Sequence, residues 1–235
     1  MRLTYLRSEQ LTDDIWSFRF TSEKPLRFIA GQYIEITLPH GSMDNRGDRR
    51  WMTITTAPGD AELEIMMRFA PKNGSSYKTA FKTMSPGTVL HASEPIGDFV
   101  LPKSPEIPAT FIAAGIGITP VLSIVRDLQK RQNDHPLQLI YSARTPKDLI
   151  GHDIFADSHI SYTPIISQPS ADWKGQTGRL SGKRILELSS PKPGQLYFLS
   201  GPEQLVLGII DELYAHGVER SQIVMDYFPG YNFLY

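Results

Sequence analysis

The sequence predicts two domains, an N-terminal antiparallel Greek-key β-barrel and a C-terminal α/β domain with a parallel sheet. Three observations predict this fold. The first hundred residues hold short β-rich segments separated by turns, the remainder alternates strands with helices, and a proline-rich stretch at residues 102–108 separates the two patterns. A length of 235 residues suits two modest domains. We place them at residues 1–103 and 108–235.

Partial alternation of apolar and polar residues predicts the strands of the barrel. Turn-forming pairs such as Pro58-Gly59 and Pro86-Gly87 lie between these segments, and a short helix is predicted at Ser76–Met84. The predicted strands are Ile15–Phe20, Tyr33–Leu38, Trp51–Ala57, Leu63–Phe69 and Thr88–Ser93.

From Pro108 onward, apolar strands alternate with amphipathic helices, which is typical of a parallel sheet covered on both faces. The last helix ends at His216-Gly217, a plausible C-cap. The predicted strands are Thr110–Ala114, Leu137–Ser142, Ile160–Ile166, Gln195–Ser200 and Ile223–Phe228, and the predicted helices are Pro120–Gln132, Lys147–Phe155, Ser181–Leu188 and Pro202–His216.

The segment Phe111–Pro120 joins a buried strand to a helix through two glycines, Gly115 and Gly117. Pro120 suits the first helical position, and Thr119 is the natural N-cap. Free N–H groups and the helix dipole make such a turn suitable for a pyrophosphate. Glycines at a strand-to-helix turn also serve packing alone, so this motif needs support from elsewhere in the chain.

A second motif lies in the barrel, at Arg49–Pro58. Arg50 is well shaped for a bidentate phosphate contact, and the hydroxyls of Thr53 and Thr55, two apart on one strand face, could meet the edge of a heteroaromatic ring. The alternative is a surface arginine beside an ordinary threonine-rich strand.

Composition excludes several classes of site. The sequence has no cysteine, so thiolate nucleophiles, zinc–thiolate sites and cysteine-ligated clusters are excluded. The six histidines show no metal-ligand spacing, and a net charge of −1 argues against nucleic acid as the main partner. The N-terminus shows no signal peptide, and the apolar run 111–125 is too short to span a membrane, so we expect a cytoplasmic location.

Together these motifs make the chain resemble the ferredoxin–NADP reductase superfamily. Arg50–Thr53 resembles its Arg-x-Tyr-Ser/Thr motif, and Gly115–Pro120 resembles its Gly-x-Gly-x-Thr-Pro loop. Further similarities follow in the family's order along nearly the whole chain: Arg68 with Gly74-Ser75-Ser76, Gly97-Asp98-Phe99, Tyr141–Thr145, Gly178-Arg179-Leu180, Ser200–Glu203 and Val224–Phe228.

The resemblance implies a barrel that binds a flavin, FAD rather than FMN, and an α/β domain that binds NADP or NAD. Thr53, Ser200 and Asp226 would serve catalysis, with Thr53 near the flavin N5. The residues implied in cofactor binding are Arg50, Trp51, Met52, Thr53, Arg68, Gly74, Ser75, Ser76, Gly115, Gly117, Thr119, Pro120, Ser142, Arg144, Lys147, Gly201, Pro202 and Phe228. Ser142, Arg144 and Lys147 favour NADPH, since no acidic residue lies in the 141–146 segment to bind a ribose hydroxyl.

The sequence departs from the family pattern at Met52, where the flavin-stacking tyrosine is expected, at Ser200, which replaces a cysteine, and at Asp226, which replaces a glutamate. Trp51 or Tyr235 could cover the flavin instead. The aromatic tail 227–235 would either shield the flavin or pack between the domains.

The implied activity is transfer of hydride from NAD(P)H to FAD. Electrons would then pass to a separate acceptor, such as ferredoxin, flavodoxin or an oxygenase component. A non-catalytic module that keeps the fold and binds a nucleotide or partner is the alternative.

Overall fold

The computed structural model describes residues 1–41, 43–69 and 74–226. Its first half is an antiparallel six-stranded sheet in the order β4-β3-β6-β1-β2-β5. The Thr55 N–H donates to the Glu64 carbonyl across 2.9 Å, which joins the two ends of the sheet into a barrel. The elements are β1 (Arg2–Gln10), β2 (Ile15–Ser22), β3 (Tyr33–Thr37), β4 (Arg49–Thr53), β5 (Leu63–Arg68), α1 (Ser76–Lys82) and β6 (Val89–Ala92).

The second half is a parallel six-stranded sheet in the order β10-β9-β8-β7-β11-β12. Its strand order reverses between β7 and β11, which creates a crevice at their carboxyl ends. The elements are β7 (Ala109–Ala114), α2 (Thr119–Arg131), β8 (Gln138–Ala143), α3 (His152–Ala156), β9 (Ser161–Ile166), β10 (Gln176–Thr177), α4 (Gly182–Ser189), β11 (Leu196–Ser200), α5 (Glu203–Ala215) and β12 (Ile223–Asp226).

The two halves share apolar packing. One cluster of buried side chains includes Ile15, Met66 and Phe99 from the first half together with Phe111 and Phe198 from the second. The Phe111 and Phe198 rings stack with centroids 4.5 Å apart, and Phe99 meets both edge-on. Apolar burial at this junction holds the barrel against the parallel sheet.

The predicted fold class is confirmed, and several element predictions needed correction. The sequence does not predict β1 and β10, since β1 is polar after Leu6 and β10 has only two residues. The segment predicted as a strand at Trp51–Ala57 pairs with β3 only over Arg49–Thr53, after which the chain turns toward β5. The helix predicted at Lys147–Phe155 is a 3-10 turn at Pro146–Asp148 followed by α3, with Gly151 between them in a left-handed conformation.

The start of α2 also differs from the expectation that Thr119 is its N-cap. A 3-10 turn at Gly115–Ile118 leads directly into the helix, and Ile118 with helical angles occupies the cap position. The Thr119 hydroxyl donates to the Ile116 carbonyl at 3.1 Å. Pro120 lies in the first turn, as predicted. The C-terminal end of α5 is also confirmed, since His216 is the C-cap and Gly217 has a φ of +86°.

Candidate functional site

A cavity of about 490 Å³ lies between the barrel and the carboxyl end of the parallel sheet. Its size is in the range of sites that enclose a small organic ligand. The strand-order reversal places β7, β11 and β12 on one side of it, while β4 and β5 form the other. The predicted site residues that line it are Trp51, Met52, Thr53, Arg68, Gly115, Gly117, Thr119, Ser142, Arg144, Ser200, Gly201, Pro202 and Asp226.

The glycine turn forms the floor of the cavity, and its backbone has no room for a side chain. A Cβ added at Gly117 would lie 2.3 Å from the Ser200 carbonyl oxygen, so the turn touches the neighbouring strand end directly. Gly115 has a φ of +54°, and a Cβ there would lie 2.9 Å from Nη2 of Arg68. Glycine is therefore required at both positions, because β11 and the barrel approach the backbone of the turn too closely for a side chain.

Ser200 and Asp226 form a buried polar pair on this side of the cavity. They lie in register on adjacent parallel strands, and the Ser200 hydroxyl donates to the carboxyl group. Burial raises the pKa of Asp226 to about 7, against the opposing effect of that hydrogen bond. Its Oδ2 atom has no hydrogen-bond partner among the described residues. Asp226 can therefore hold or release a proton near neutral pH at an atom beside the cavity.

The barrel side offers a second free polar atom, the hydroxyl oxygen of Thr53. Thr53 is buried, lines the cavity, and has no hydrogen-bond partner for Oγ1 in the part of the chain that the structure describes. Thr55, expected to share this role, instead donates to Glu64 Oε2 at 2.8 Å. Apolar side chains surround Thr53 in the cavity wall: Trp51, Met52, Met66, Met67 and Phe69.

Met52, at the position expected of the missing tyrosine, and its neighbour Trp51 differ in their surroundings. Met52 is buried in the barrel core and also lines the cavity. Trp51 is 39% exposed and meets the Tyr33 ring edge-on at 5.2 Å. The Met66-Met67 pair is buried and contributes to the cavity wall as well. Phe228 and the tail 227–235 lie outside the described residues.

A cluster of cations lies at the start of α1. Burial, followed by the charges of Arg50, Arg68 and Arg46, lowers the pKa of Lys78 to about 8. The Lys78 ammonium donates to the Arg68 carbonyl at 2.6 Å. Arg50 stacks over the Tyr77 ring, and its buried Nη2 finds no hydrogen-bond partner among the described residues. Mutual repulsion within this cluster would be relieved by a bound anion.

Asp44 already pairs with one cation of this cluster and with the first turn of α1. Asp44 Oδ2 accepts from the Ser76 N–H at 2.9 Å and from Arg46 Nη2 at 2.7 Å. The Ser75 hydroxyl caps the helix by accepting from the Lys78 N–H at 3.2 Å. The predicted residues Arg50, Gly74, Ser75 and Ser76 thus surround the start of α1 and do not line the cavity itself.

These features fit a flavin and a nicotinamide nucleotide. The cation cluster with its unpartnered Arg50 nitrogen suits a diphosphate, and the free Thr53 hydroxyl within an apolar wall suits the polar edge of a flat ring. The bare glycine turn suits the close approach of a second pyrophosphate.

The far end of the cavity is polar. Of the residues predicted to bind the cofactor, Ser142 and Arg144 line this end, whereas Lys147 and the buried Pro120 do not. Ser167, Gln168 and Arg179 were not among the predicted site residues. Of these three, only Arg179 belongs to a motif identified in the sequence, Gly178-Arg179-Leu180. The other two follow the end of β9, a position that the strand pattern could have indicated.

The comparisons with known proteins agree with this geometry. Residues 111–209 match the family model described as the oxidoreductase NAD-binding domain. The chain is 25% identical to the reductase component of propane 2-monooxygenase from Rhodococcus jostii, over 98% of this chain and 64% of that protein. It spans 60–64% of the length of the first curated relatives that it matches.

Solved structures show the same fold. The flavohem-like FAD/NAD-binding domain of nitric oxide dioxygenase from Vibrio cholerae aligns with a TM-score of 0.81 at 20% identity, covering 97% of this chain and 98% of that one. A ferredoxin–NADP+ reductase from Neisseria gonorrhoeae, with bound FAD and NADP, aligns with a TM-score of 0.78 at 20% identity, covering 96% and 97%. Among the described residues, no helix is long and apolar enough to cross a membrane.

Proposed function

We propose that this chain is a member of the ferredoxin–NADP reductase superfamily, an NAD(P)H-dependent flavoprotein reductase that delivers electrons to a separate acceptor. One observation carries the proposal: a single cavity is lined both by the glycine turn of the parallel sheet and by Thr53 and Arg68 of the barrel. Two cofactors that approach from opposite sides would meet there. The division into domains at residues 1–103 and 108–235 is part of the proposal.

On the barrel side, the chain would hold FAD. Arg50, Arg46 and Lys78 would bind its diphosphate, which favours FAD over FMN because several cations converge on one helix start. The Thr53 hydroxyl would hydrogen-bond the polar edge of the ring, and the methionines of the wall would exclude water. Bound flavin would supply the redox chemistry, taking a hydride from NAD(P)H and releasing electrons one at a time.

On the sheet side, the chain would bind and orient the nicotinamide nucleotide. Gly115, Gly117 and Thr119 would hold its pyrophosphate, while Ser200, Gly201 and Pro202 would position the nicotinamide end. Asp226 would hold a proton at Oδ2 beside the reacting region. Arg144 and Arg179 lie where a 2′-phosphate could bind, so NADPH is the favoured donor.

We propose only the class of protein that accepts the electrons. Several relatives are named as reductase or electron transfer components of oxygenase systems. An oxygenase component, a ferredoxin or a flavodoxin would each suit. The cytoplasmic location stays a prediction.

An anaerobic titration tests this function. The purified protein is reconstituted with FAD, freed of unbound flavin, and titrated with NADPH and then NADH while the visible absorbance is followed. We expect retention of FAD, bleaching by either donor, and a lower NADPH concentration at half-maximal rate. FMN serves as the flavin control. A protein that neither retains FAD nor oxidises NAD(P)H would contradict the proposal and favour a non-catalytic module.

A matched pair of variants locates the activity in the cavity. Thr53→Val removes the free hydroxyl with little change of shape and should slow flavin reduction by about 10-fold or more. Thr37→Val, on the neighbouring strand and outside the cavity, is the control and should leave the rate unchanged.

A further inference from the structure

A buried carboxylate at the junction of the two halves has no role in the site described above. Glu64 on β5 has a side chain that is only 3% exposed, yet it accepts from four groups: Ser17 Oγ at 2.7 Å, Arg19 Nη2 at 3.1 Å, Thr55 Oγ1 at 2.8 Å and Arg126 Nη1 at 2.6 Å. Burial would raise the pKa of Glu64, but Arg126 and the two hydroxyls hold it below its usual value. The carboxylate is therefore fully charged and fully bonded.

Arg126 is the donor that comes from the other half of the molecule. It lies on α2, the helix that begins at the glycine turn, and its Nη1 also donates to the Thr55 carbonyl at 2.8 Å. One turn earlier on the same face, the buried Ser123 hydroxyl donates to the Thr56 carbonyl at 2.7 Å. We name Glu64, Ser123, Arg126, Thr55 and Thr56 the interdomain clasp.

The interdomain clasp lies close to both sides of the cavity. Thr55 and Thr56 lie two and three residues after Thr53, which lines the barrel side. At a rise of about 1.5 Å per residue, Ser123 and Arg126 lie only about 6 and 10 Å along the helix from Thr119, which lines the sheet side. A shift of α2 against Thr55-Thr56 would move the glycine turn relative to Thr53 by a similar amount.

We propose that Glu64 is a positioning residue, which sets the distance between the two cofactor sites by anchoring α2 through Arg126. The inference rests on the proposed function, because it concerns the transfer between those sites. Reacting atoms must approach within about 3–3.5 Å, and a misplacement of 1 Å can cost about 100-fold in rate. Glu64 is buried and Arg126 is half-buried, so the pair is stiff, since moving Arg126 away would leave the buried Glu64 charge without its partner from α2.

The test compares Glu64→Gln with Asp60→Asn. The Asp60 carboxylate also pairs across the junction, with Lys130 on the same helix at 2.7 Å, but both partners are substantially exposed. We expect Glu64→Gln to lower the rate of flavin reduction at saturating NADPH by about 10- to 100-fold, with the dissociation constant for NADPH changed by less than about 2-fold. Asp60→Asn should match the unaltered protein in both quantities.

A distance measurement supplies a readout that requires no cofactor. Because the sequence has no cysteine, spin labels can be attached at Val89→Cys in the barrel and Leu207→Cys on α5, whose side chains are 42% and 40% exposed. We expect one narrow distance distribution in the labelled parent and in the Asp60→Asn protein, and a broadened one in Glu64→Gln. Ser123→Ala is a milder change, which should leave the protein folded even if Glu64→Gln prevents folding. It should broaden the distance distribution by a smaller amount.

A normal rate in Glu64→Gln, or a slow rate with an unchanged distance distribution, would overturn the inference. So would a broadened distribution with a normal rate. Arg126→Lys should retain more of the rate than Arg126→Met, since it keeps the charge beside Glu64. If the parent protein itself is not reduced by NADPH, the proposed function fails, and the distance distributions still show whether the clasp orders the two halves.

Discussion

The two sides of the cavity are built in different ways. The centre of the sheet side is backbone, namely a bare glycine turn, the end of β11 and a helix start, and polar side chains such as Asp226 and Arg144 lie around it. The barrel side consists of side chains, namely the free hydroxyl of Thr53, an apolar wall, and cations at the nearby start of α1. The first side presents shape and N–H groups, while the second presents charge and hydrophobic surface.

The two sides should therefore tolerate different kinds of substitution. A backbone surface is sensitive to any added side chain, because the obstructing atoms cannot rotate away. A side-chain surface loses affinity in steps, one charge or hydroxyl at a time. We therefore expect all-or-none effects at the glycine turn and graded effects where side chains form the site, as on the barrel side.

The largest expected effect is that of Gly117→Ala. Its Cβ would lie 2.3 Å from the Ser200 carbonyl oxygen and 2.4 Å from the carbonyl carbon, so the turn or the end of β11 must shift. We expect kcat/KM for NADPH to fall by about 100-fold or more and the free energy of unfolding to fall by about 1–3 kcal/mol. Steady-state kinetics and urea denaturation measure the two quantities.

Gly208→Ala is the matched control for this change. Gly208 lies on α5 with nothing within 4 Å of an added Cβ, and alanine favours a helix. We expect unchanged kinetics and a gain of about 0.5–1 kcal/mol in the free energy of unfolding. Equal kinetic losses in both variants would show that the turn has no special role.

On the barrel side, Arg50→Met should weaken FAD binding in a graded way. Loss of a charged donor to phosphate costs about 1.5–3 kcal/mol, which corresponds to roughly 10- to 100-fold in the dissociation constant. Arg49→Met is the control, because Arg49 is exposed and its contact with Glu35 is 3.8 Å long. Calorimetric titration with FAD measures both, and equal affinities would remove Arg50 from the diphosphate site.

The raised pKa of Asp226 predicts that the free energy of unfolding depends on pH. Its folded pKa of about 7 lies above its ordinary value of 3.8, so the folded state retains a proton that the unfolded state has lost between those values. This contribution is fully present below pH 4 and disappears as the pH rises through 7. The difference in free energy of unfolding between the parent and Asp226→Asn should shift against the parent by roughly 4 kcal/mol between pH 4 and pH 8.

Urea denaturation of the two proteins at both pH values measures this shift. A difference that is independent of pH would show that Asp226 is already ionised in the folded protein at pH 4.

The smallest expected effect concerns the choice of donor. Arg144→Gln should raise the KM for NADPH by about 3- to 10-fold and leave the KM for NADH within about 2-fold, since an exposed charge contributes little. Lys147→Gln, which alters a nearby cation that does not line the cavity, is the control. Parallel changes with both donors would assign Arg144 to the part of the site shared by the two nucleotides.

The sequence predicted the sheet side better than the barrel side. The glycine turn and the helix after it are local features, so Gly115, Gly117 and Thr119 could be identified from adjacent residues. The cap at Thr119 was wrong because the 3-10 turn before it continues into the helix without an extended residue.

The barrel side depends on contacts between distant residues. Lys78 joins the cation cluster only because α1 packs beside β5, and Thr55 is turned toward Glu64 only because the two ends of the sheet meet there. Glu64 in particular has no motif around it. Its partners Ser17 and Arg126 lie 47 and 62 residues away, and only the fold brings them together.

The assignment of one cofactor to each side of the cavity is tested most directly by a crossed binding measurement on Arg50→Met and Gly117→Ala, with FAD and with NADP+ as ligands. We expect Arg50→Met to lose affinity for FAD and retain it for NADP+, and Gly117→Ala to lose affinity for NADP+ and retain it for FAD. Loss of both ligands in folded forms of both variants would contradict the assignment of one cofactor to each side of the cavity.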